Sequence, residues 1–155
     1  MEAPSCVAAV VDIGKHCIST LKTLYRLHEK HRSARATIVA IHSEITVIGA
    51  LMQFINVIFE HHHDFTRSRF VEHPELEQIF TAALAGCSLV LSCLDEDIEK
   101  FAADLNSEDF KGEKGELQTL WREDIVTDLL NALRGQHAAI FSIIQCLHVY
   151  VLPSQ

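Results

Sequence analysis

Three consecutive histidines, His61, His62 and His63, are followed by Asp64 and are the clearest candidates in this chain for holding a metal ion. Imidazole nitrogens and carboxylate oxygens are ordinary zinc ligands. Neighbouring residues on an α-helix point about 100° apart, so three in a row can face one ion only where the backbone is irregular. The pattern therefore favours histidines that end a helix in solvent, and leaves a metal or small-ligand site as the weaker alternative.

Motifs for covalent catalysis and for phosphate binding are missing from the sequence. It has no GxSxG motif and no glycine-rich phosphate loop, since Gly112–Gly115 lacks the preceding strand and the spacing that such a loop requires. The acidic run Asp95–Asp97 lacks the glycine and the patterned ligands of an EF-hand. We therefore expect no catalytic residue, no cofactor and no enzymatic activity.

The cysteines do not form a recognisable site either. They are Cys6, Cys17, Cys87, Cys93 and Cys146. An odd number without a CxxC spacing predicts neither a disulfide framework nor a zinc site. These residues are expected to be small apolar core residues in a reducing compartment. Because the N-terminus also lacks the basic segment of a signal peptide, the sequence predicts a soluble, cytoplasmic protein.

The charge is acidic overall but unevenly distributed. A formal net charge of −8 argues against nucleic-acid binding, which needs Lys and Arg residues that neutralise phosphates. Five cations nevertheless lie close together in the sequence: Lys22, Arg26, Lys30, Arg32 and Arg35. Such a cluster is either the solvated end of a helix or a contact for anionic lipid head groups or an acidic partner.

The longest apolar pattern runs from Ile38 to Phe59 and predicts a long, buried helix. Its apolar residues recur at alternating spacings of three and four: Ile38, Ile41, Ile45, Ile48, Met52, Ile55 and Phe59. This spacing is the seam of a helix packed on other helices. A second row runs beside it: Val47, Leu51, Phe54 and Ile58. Two rows predict a central helix that is covered on more than one side.

Similar stripes predict three further long helices. The first runs from Ser5, a suitable N-cap, to about His31; the central helix occupies about Ala34 to His61; the third begins near Pro74; and the last begins near Glu116. No uninterrupted apolar run reaches the ~20 residues that cross a bilayer. We predict an all-α fold, an antiparallel up-and-down four-helix bundle, as one domain over residues 1–155, with an extra short helix or kink in the last region.

Two features of the connections and helix interiors complete this prediction. The polar segment His62–His73 is expected to be irregular, with Phe65, Phe70 and Val71 turned toward the bundle. Each predicted helix contains one interior glycine: Gly14, Gly49, Gly86 and Gly135. A glycine inside a helix costs roughly 1 kcal/mol relative to alanine, so we interpret these glycines as positions where two helices pack closely.

The chain resembles the fungal helical domains that precede STAND (NLR-like) receptors, including the HeLo-like domains and the related N-terminal domain of an azaphilone-cluster protein. The resemblance begins at Ala3–Val10 and Leu24-Tyr25 and extends through the long helix from Ala34 to Phe59. It returns at Leu120-Trp121 and in the leucine-striped segment Ile125–Leu147, so that it covers almost the whole chain.

The resemblance implies a signalling or cell-death effector domain that oligomerises on activation, exposes its first helix and permeabilises the plasma membrane. The residues proposed for such an exposed helix are Val7, Val10, Val11 and Ile18. Asp12, Lys15 and His16 make this helix amphipathic, which favours insertion at the membrane interface over spanning. The alternatives are a protein-interaction domain that never contacts lipid and a bundle that binds a metal or small ligand through its histidines.

Overall fold

The computed structural model describes the backbone of residues 3–30, 35–106 and 123–149, with side chains described over 6–29, 36, 38–103 and 127–147. These residues form five helices: α1 (Ala3–Lys30), α2 (Arg35–His61), α3 (His63–Glu72), α4 (Pro74–Asn106) and α5 (Glu123–Val149). The predicted all-α class is confirmed for the described part of the chain. The N-cap predicted at Ser5 is wrong, because α1 begins two residues earlier. Gly112–Gly115, Leu120-Trp121 and the predicted start of the last helix near Glu116 lie outside the described residues.

The predicted seam of α2 forms the centre of the core. All seven of its residues, from Ile38 to Phe59, are at most 5% exposed. The second row is covered less than predicted, because Val47 is 36% and Phe54 is 44% exposed. This row lies on the flank of α2 that carries Glu44, beyond the contact with α5, so only one broad face of α2 is sealed.

The contacts of α1 establish how it runs relative to its neighbours. Gly14 faces Met52 and Gly49 faces Cys17, so the numbering rises along α1 as it falls along α2. The two helices are therefore antiparallel. On its other side α1 contacts α4, where the Cys6 sulfur lies 3.7 Å from Thr81 Oγ1 and the Thr20 hydroxyl donates to Asp95. Numbering rises along both helices here, so α1 and α4 run parallel.

A short helix, α3, occupies the segment that was predicted to be irregular. The chain breaks from helical geometry at His62, before α3, and again at His73, after it. The His62 carbonyl still accepts a hydrogen bond from the Thr66 amide at 2.9 Å. Phe70 is buried as predicted, and its ring stacks on Phe80 with centroids 6.1 Å apart. The prediction for Val71 is wrong: it is 76% exposed, because the residue after Phe70 is rotated by about 100° on a helix.

The interior glycines have different surroundings, so close helix packing does not explain all four of them. A Cβ at Gly86 would lie 2.8 Å from Nε2 of Gln136, so the side chain of this α5 residue occupies the space over the glycine. A Cβ at Gly135 would meet no atom within 4 Å. The prediction of close helix packing is supported at Gly49, where a Cβ would lie 3.5 Å from Cys17 Cβ of α1, and is wrong at Gly135.

Two helices have the length and composition of a membrane span when their hydropathy is averaged over a window of residues. They are Ile38–His61, with a mean hydropathy of 1.7, and Pro74–Ala103, with a mean hydropathy of 1.5. Core helices of soluble proteins also meet this criterion. However, only 33% and 22% of the two windows are buried. Both helices therefore carry apolar side chains on their outer faces, among them Val57 at 48% and Leu89 at 65% exposed.

We predict that Gly135→Ala stabilises the protein by about 0.5–1 kcal/mol, because alanine loses less backbone entropy in a helix and the added methyl group meets no neighbour. Urea denaturation monitored by circular dichroism measures the change. Gly86→Ala is the matched control, and it should gain less because Gln136 must move. Equal gains at both positions would contradict the packing described for α4 and α5.

Candidate interaction surface on the first two helices

The four apolar residues predicted to form one exposable face of α1 lie on two different faces. Val10 is 1% exposed and faces the core together with Ile13. Val7 is half-buried, whereas Val11 is 36% and Ile18 is 50% exposed. At 100° per residue, Val7, Val11 and Ile18 share the flank of α1 that carries Gly14 and faces α2. Val10 is therefore a core residue, and the other three form the apolar flank.

A groove lies between this flank and α2. We call it the α1–α2 groove; it has a volume of about 400 Å³ and is lined by Ile18, Leu21, Lys22, Tyr25, Arg26 and His42. Ile18 and Tyr25 are one heptad apart, so their side chains lie on the same side of α1. Both are at least half exposed, at 50% and 58%. The groove is therefore an open apolar surface.

The structure brings part of the predicted basic cluster to the edge of this groove. Lys22 and Arg26 line it and are exposed. Arg32 and the side chains of Lys30 and Arg35 lie outside the described residues. His42 is a third basic group that the sequence analysis did not assign to this site. It reaches the groove because α1 and α2 are antiparallel, which places the start of α2 beside the last turns of α1.

One carboxylate lies close to the groove. The Tyr25 hydroxyl donates a hydrogen bond to Glu29, and this bond, together with the negative charge of Glu29, raises the pKa of the tyrosine. Tyr25 and Glu29 therefore form a hydrogen-bonded pair near the end of α1. The groove residues themselves carry only positive charge or none.

On its opposite flank α1 is attached to α4 by a polar cluster. Asp95 accepts hydrogen bonds from Thr20 Oγ1 at 2.7 Å and contacts His16 Nε2. Thr20 is 1% exposed, so its hydroxyl is removed from water and needs these partners. From the sequence, His16 is predicted only to make α1 amphipathic and Asp95 only to belong to an acidic run, so their contact is not predicted. The cluster makes the α1–α4 contact polar where the α1–α2 contact is apolar.

A second polar cluster links α2 to α5. Glu44 is the only acidic residue between Ile38 and Phe59. Its carboxylate accepts a hydrogen bond from Arg134 Nε at 3.1 Å, and its other oxygen lies 3.4 Å from His137 Nδ1. Glu44 is 18% exposed in its side chain, so the pairing compensates for part of its lost hydration.

The histidines considered for metal binding lie at the break between α2 and α3. His61, His62 and His63 are all exposed, and His63 Nδ1 lies 3.7 Å from Asp64. Among the residues described by the structure, no group of three or more His, Cys, Asp or Glu side chains is arranged to hold a metal ion. The proposed role of His61–His63 as helix-ending residues in solvent agrees with their exposure.

The thiols divide into buried and exposed groups. Burial raises the pKa of Cys17 to about 12 and that of Cys87 to about 11. Cys93 and Cys146 are exposed. Since the thiolate is the nucleophile in thiol chemistry, the two buried residues are inert. The prediction that all five cysteines are core residues is therefore wrong for Cys93 and Cys146.

We predict that iodoacetamide at pH 8 modifies Cys93 and Cys146 in the native protein and spares Cys17 and Cys87 until the protein is unfolded. Peptide mapping by mass spectrometry checks the pattern. Because folding raises both pKa values, their contribution to stability is complete below about pH 8.5, the ordinary thiol pKa, and is lost as the pH rises toward 11. Rapid native labelling of Cys17 would contradict its assignment to the core.

We also predict that Asp95→Ala lowers the free energy of unfolding by about 1–3 kcal/mol, because it removes a charged acceptor from Thr20 and His16. Urea denaturation measures the loss. Glu96→Ala is the matched control: it removes the same charge from an exposed neighbour and should change stability by less than about 0.5 kcal/mol. Equal effects would show that the polar cluster does not hold α1 to α4.

Comparison of this chain with protein-family models, with curated proteins and with solved structures gives no match. The resemblance to fungal HeLo-like domains therefore remains a prediction from the sequence.

Proposed function

We propose that this chain is a non-enzymatic signalling domain that acts through the α1–α2 groove on an anionic membrane surface. The observation that carries the proposal is the groove itself, in which exposed Ile18 and Tyr25 lie beside Lys22, Arg26 and His42. An apolar face with cations at its edge is the arrangement by which amphipathic helices bind at the boundary of head groups and acyl chains. If the resemblance to HeLo-like domains holds, the cellular role is that of a fungal cell-death effector that oligomerises and relocates to the plasma membrane.

We further propose that the four long helices, α1, α2, α4 and α5, form an up-and-down bundle. In this bundle α4, and not α5, packs beside α1. The antiparallel contact of α1 with α2 and the parallel contact of α1 with α4 support this arrangement. So do the contacts of α5 with both α2 and α4. In this arrangement α2 and α4 occupy opposite corners, and α3 crosses the end of the bundle to connect them.

Because the whole chain is acidic, the position of Lys22 and Arg26 determines how it can bind to an anionic membrane. With a net charge of −8, the chain as a whole is repelled by an anionic membrane. Lys22 and Arg26 are attracted to it by roughly 1 kcal/mol each when they lie near the surface. Binding therefore requires one orientation, with the groove toward the lipid and the exposed acids of α4, such as Glu96 and Glu99, away from it.

A second candidate function is protein interaction or self-association without lipid. It is favoured by apolar side chains on another face: Val47 and Phe54 of α2 are 36% and 44% exposed, and Phe141 of α5 is 46% exposed. Phe141 follows His137 by one turn, so it lies on the side of α5 that faces α2. Apolar groups beside the contact of two helices are suited to receive a helix from a partner or from a second copy of this chain.

We predict that the protein binds vesicles containing anionic phospholipid at low salt and makes them leak, and that Ile18→Asp abolishes both effects. Aspartate at this exposed position adds a charge to the groove without disturbing the core. Val10→Asp is unsuitable, because a carboxylate at a site 1% exposed would unfold the bundle. Vesicle co-sedimentation and release of an entrapped dye measure binding and leakage.

Ser19→Asp is the matched control, since it adds the same charge at the next residue, which is exposed, points about 100° away from Ile18 and does not line the groove. It should retain vesicle binding and leakage. Circular dichroism should show unchanged helix content for both variants. If the unmodified protein does not bind anionic vesicles even at low ionic strength, where electrostatic attraction to the surface is strongest, the membrane function is wrong. The protein-interaction function then replaces it.

A further inference from the structure

The α1–α2 groove has features of a small-molecule site in addition to those of a membrane-contacting surface. Its volume of about 400 Å³ is large enough for a small ligand, and because the groove is open to solvent such a ligand would remain partly exposed. Its floor is made of Ile18, Leu21 and the ring of Tyr25. From Ile18 to Tyr25 the floor extends over seven residues of α1, or ~10 Å at 1.5 Å per residue. This shape is suited to one extended alkyl chain.

The polar groups of the groove are concentrated toward one end. Lys22 and Arg26 are one helical turn apart on α1, and His42 approaches from the antiparallel α2. Ile18, at the other end of the floor, lies one turn before Lys22 and two turns before Arg26, so it is the lining residue of α1 farthest from the pair of cations. A ligand that fills the groove therefore needs an apolar chain and one acidic head at its Lys22–Arg26 end.

The chemistry of these side chains also limits the choice of head group. Lys22 and Arg26 are donors only, and Arg presents a planar set of N–H groups that can bond both oxygens of a carboxylate. Glu29 of α1 is hydrogen-bonded to the Tyr25 hydroxyl. Among the described residues, no acid forms an ion pair with Lys22 or Arg26, so both cations can bind a carboxylate from outside the protein.

We propose that the α1–α2 groove binds a single-chain anionic amphiphile of the fatty-acid class, with the alkyl chain on Ile18, Leu21 and Tyr25 and the carboxylate on Lys22, Arg26 and His42. This inference deepens the proposed function, because it uses the same groove and names the lipid species that it recognises. A single chain is favoured over a two-chain phospholipid because the floor is one helix flank wide. Binding of a monomeric amphiphile needs no bilayer and no movement of α1.

The test is titration of the ¹⁵N-labelled 155-residue protein with sodium decanoate below its micelle concentration, followed by NMR. The amide signals of Ile18, Leu21, Tyr25 and His42 should shift together and saturate. Two further probes separate the parts of the ligand. Acetate carries the charge without the chain, and 1-decanol carries the chain without the charge, and each should bind at least about fivefold more weakly than decanoate.

Charge reversal at two lysines of α1 provides the matched pair of variants. Lys22→Glu should weaken decanoate binding by about fivefold, the effect of losing one exposed ion pair. Lys15→Glu carries the same change one heptad earlier on the same side of α1 and outside the groove, and should leave decanoate binding unchanged. Unchanged spectra outside the substituted turn would show that both variants remain folded.

Three results would overturn the proposal: decanol binding as tightly as decanoate, equal loss in both lysine variants, or shifts spread over α4 and α5 instead of the groove. These outcomes are independent of the vesicle experiment. If decanoate fails to bind while anionic vesicles still bind and leak, the membrane function stands and the single-chain site is wrong. If decanoate binds and vesicles do not, the groove is a soluble-ligand site and the membrane function is wrong.

Discussion

Burial of one face of α2 is the interaction on which the rest of the structure depends. Five isoleucines of this face are at most 1% exposed: Ile38, Ile41, Ile45, Ile48 and Ile55. Isoleucine is a weaker helix former than leucine because its branched Cβ restricts χ1. Burial outweighs this cost, since each fully buried side chain contributes about 1.5–3 kcal/mol. The stiffness of these residues also defines the surface on which α1 and α5 pack.

The sequence predicted this part of the fold well because the information is local. An apolar residue every three or four positions defines a helical face whatever the neighbouring helices are, so the seam from Ile38 to Phe59 could be predicted residue by residue. The same periodicity was less informative at the flanks. Val47 and Phe54 continue the apolar pattern, yet they are substantially exposed, because α5 contacts α2 nearer to Glu44.

The remaining features depend on contacts between residues that are distant in sequence. Asp95 lies 79 residues from His16, and Arg134 lies 90 residues from Glu44. No local pattern pairs them, since their proximity follows from the direction and order of the helices. The same holds for His42, which joins Lys22 and Arg26 only because α1 and α2 are antiparallel. The cations of α1 could therefore be proposed from the sequence, whereas the groove could not.

The energy that holds α1 in the bundle limits how this helix can act. Its inner face buries six side chains in the core: Cys6, Val10, Ile13, Cys17, Leu24 and Leu27. Together they contribute on the order of 10 kcal/mol, which is comparable with the whole stability of a typical domain. Contacts of Lys22 and Arg26 with head groups are worth roughly 1 kcal/mol each and cannot release α1 from that core. A contact made through the groove, with the bundle intact, needs no such release. If activation does expose α1, the energy has to come from new apolar contacts of similar size, which only insertion into the membrane or assembly with further helices can provide.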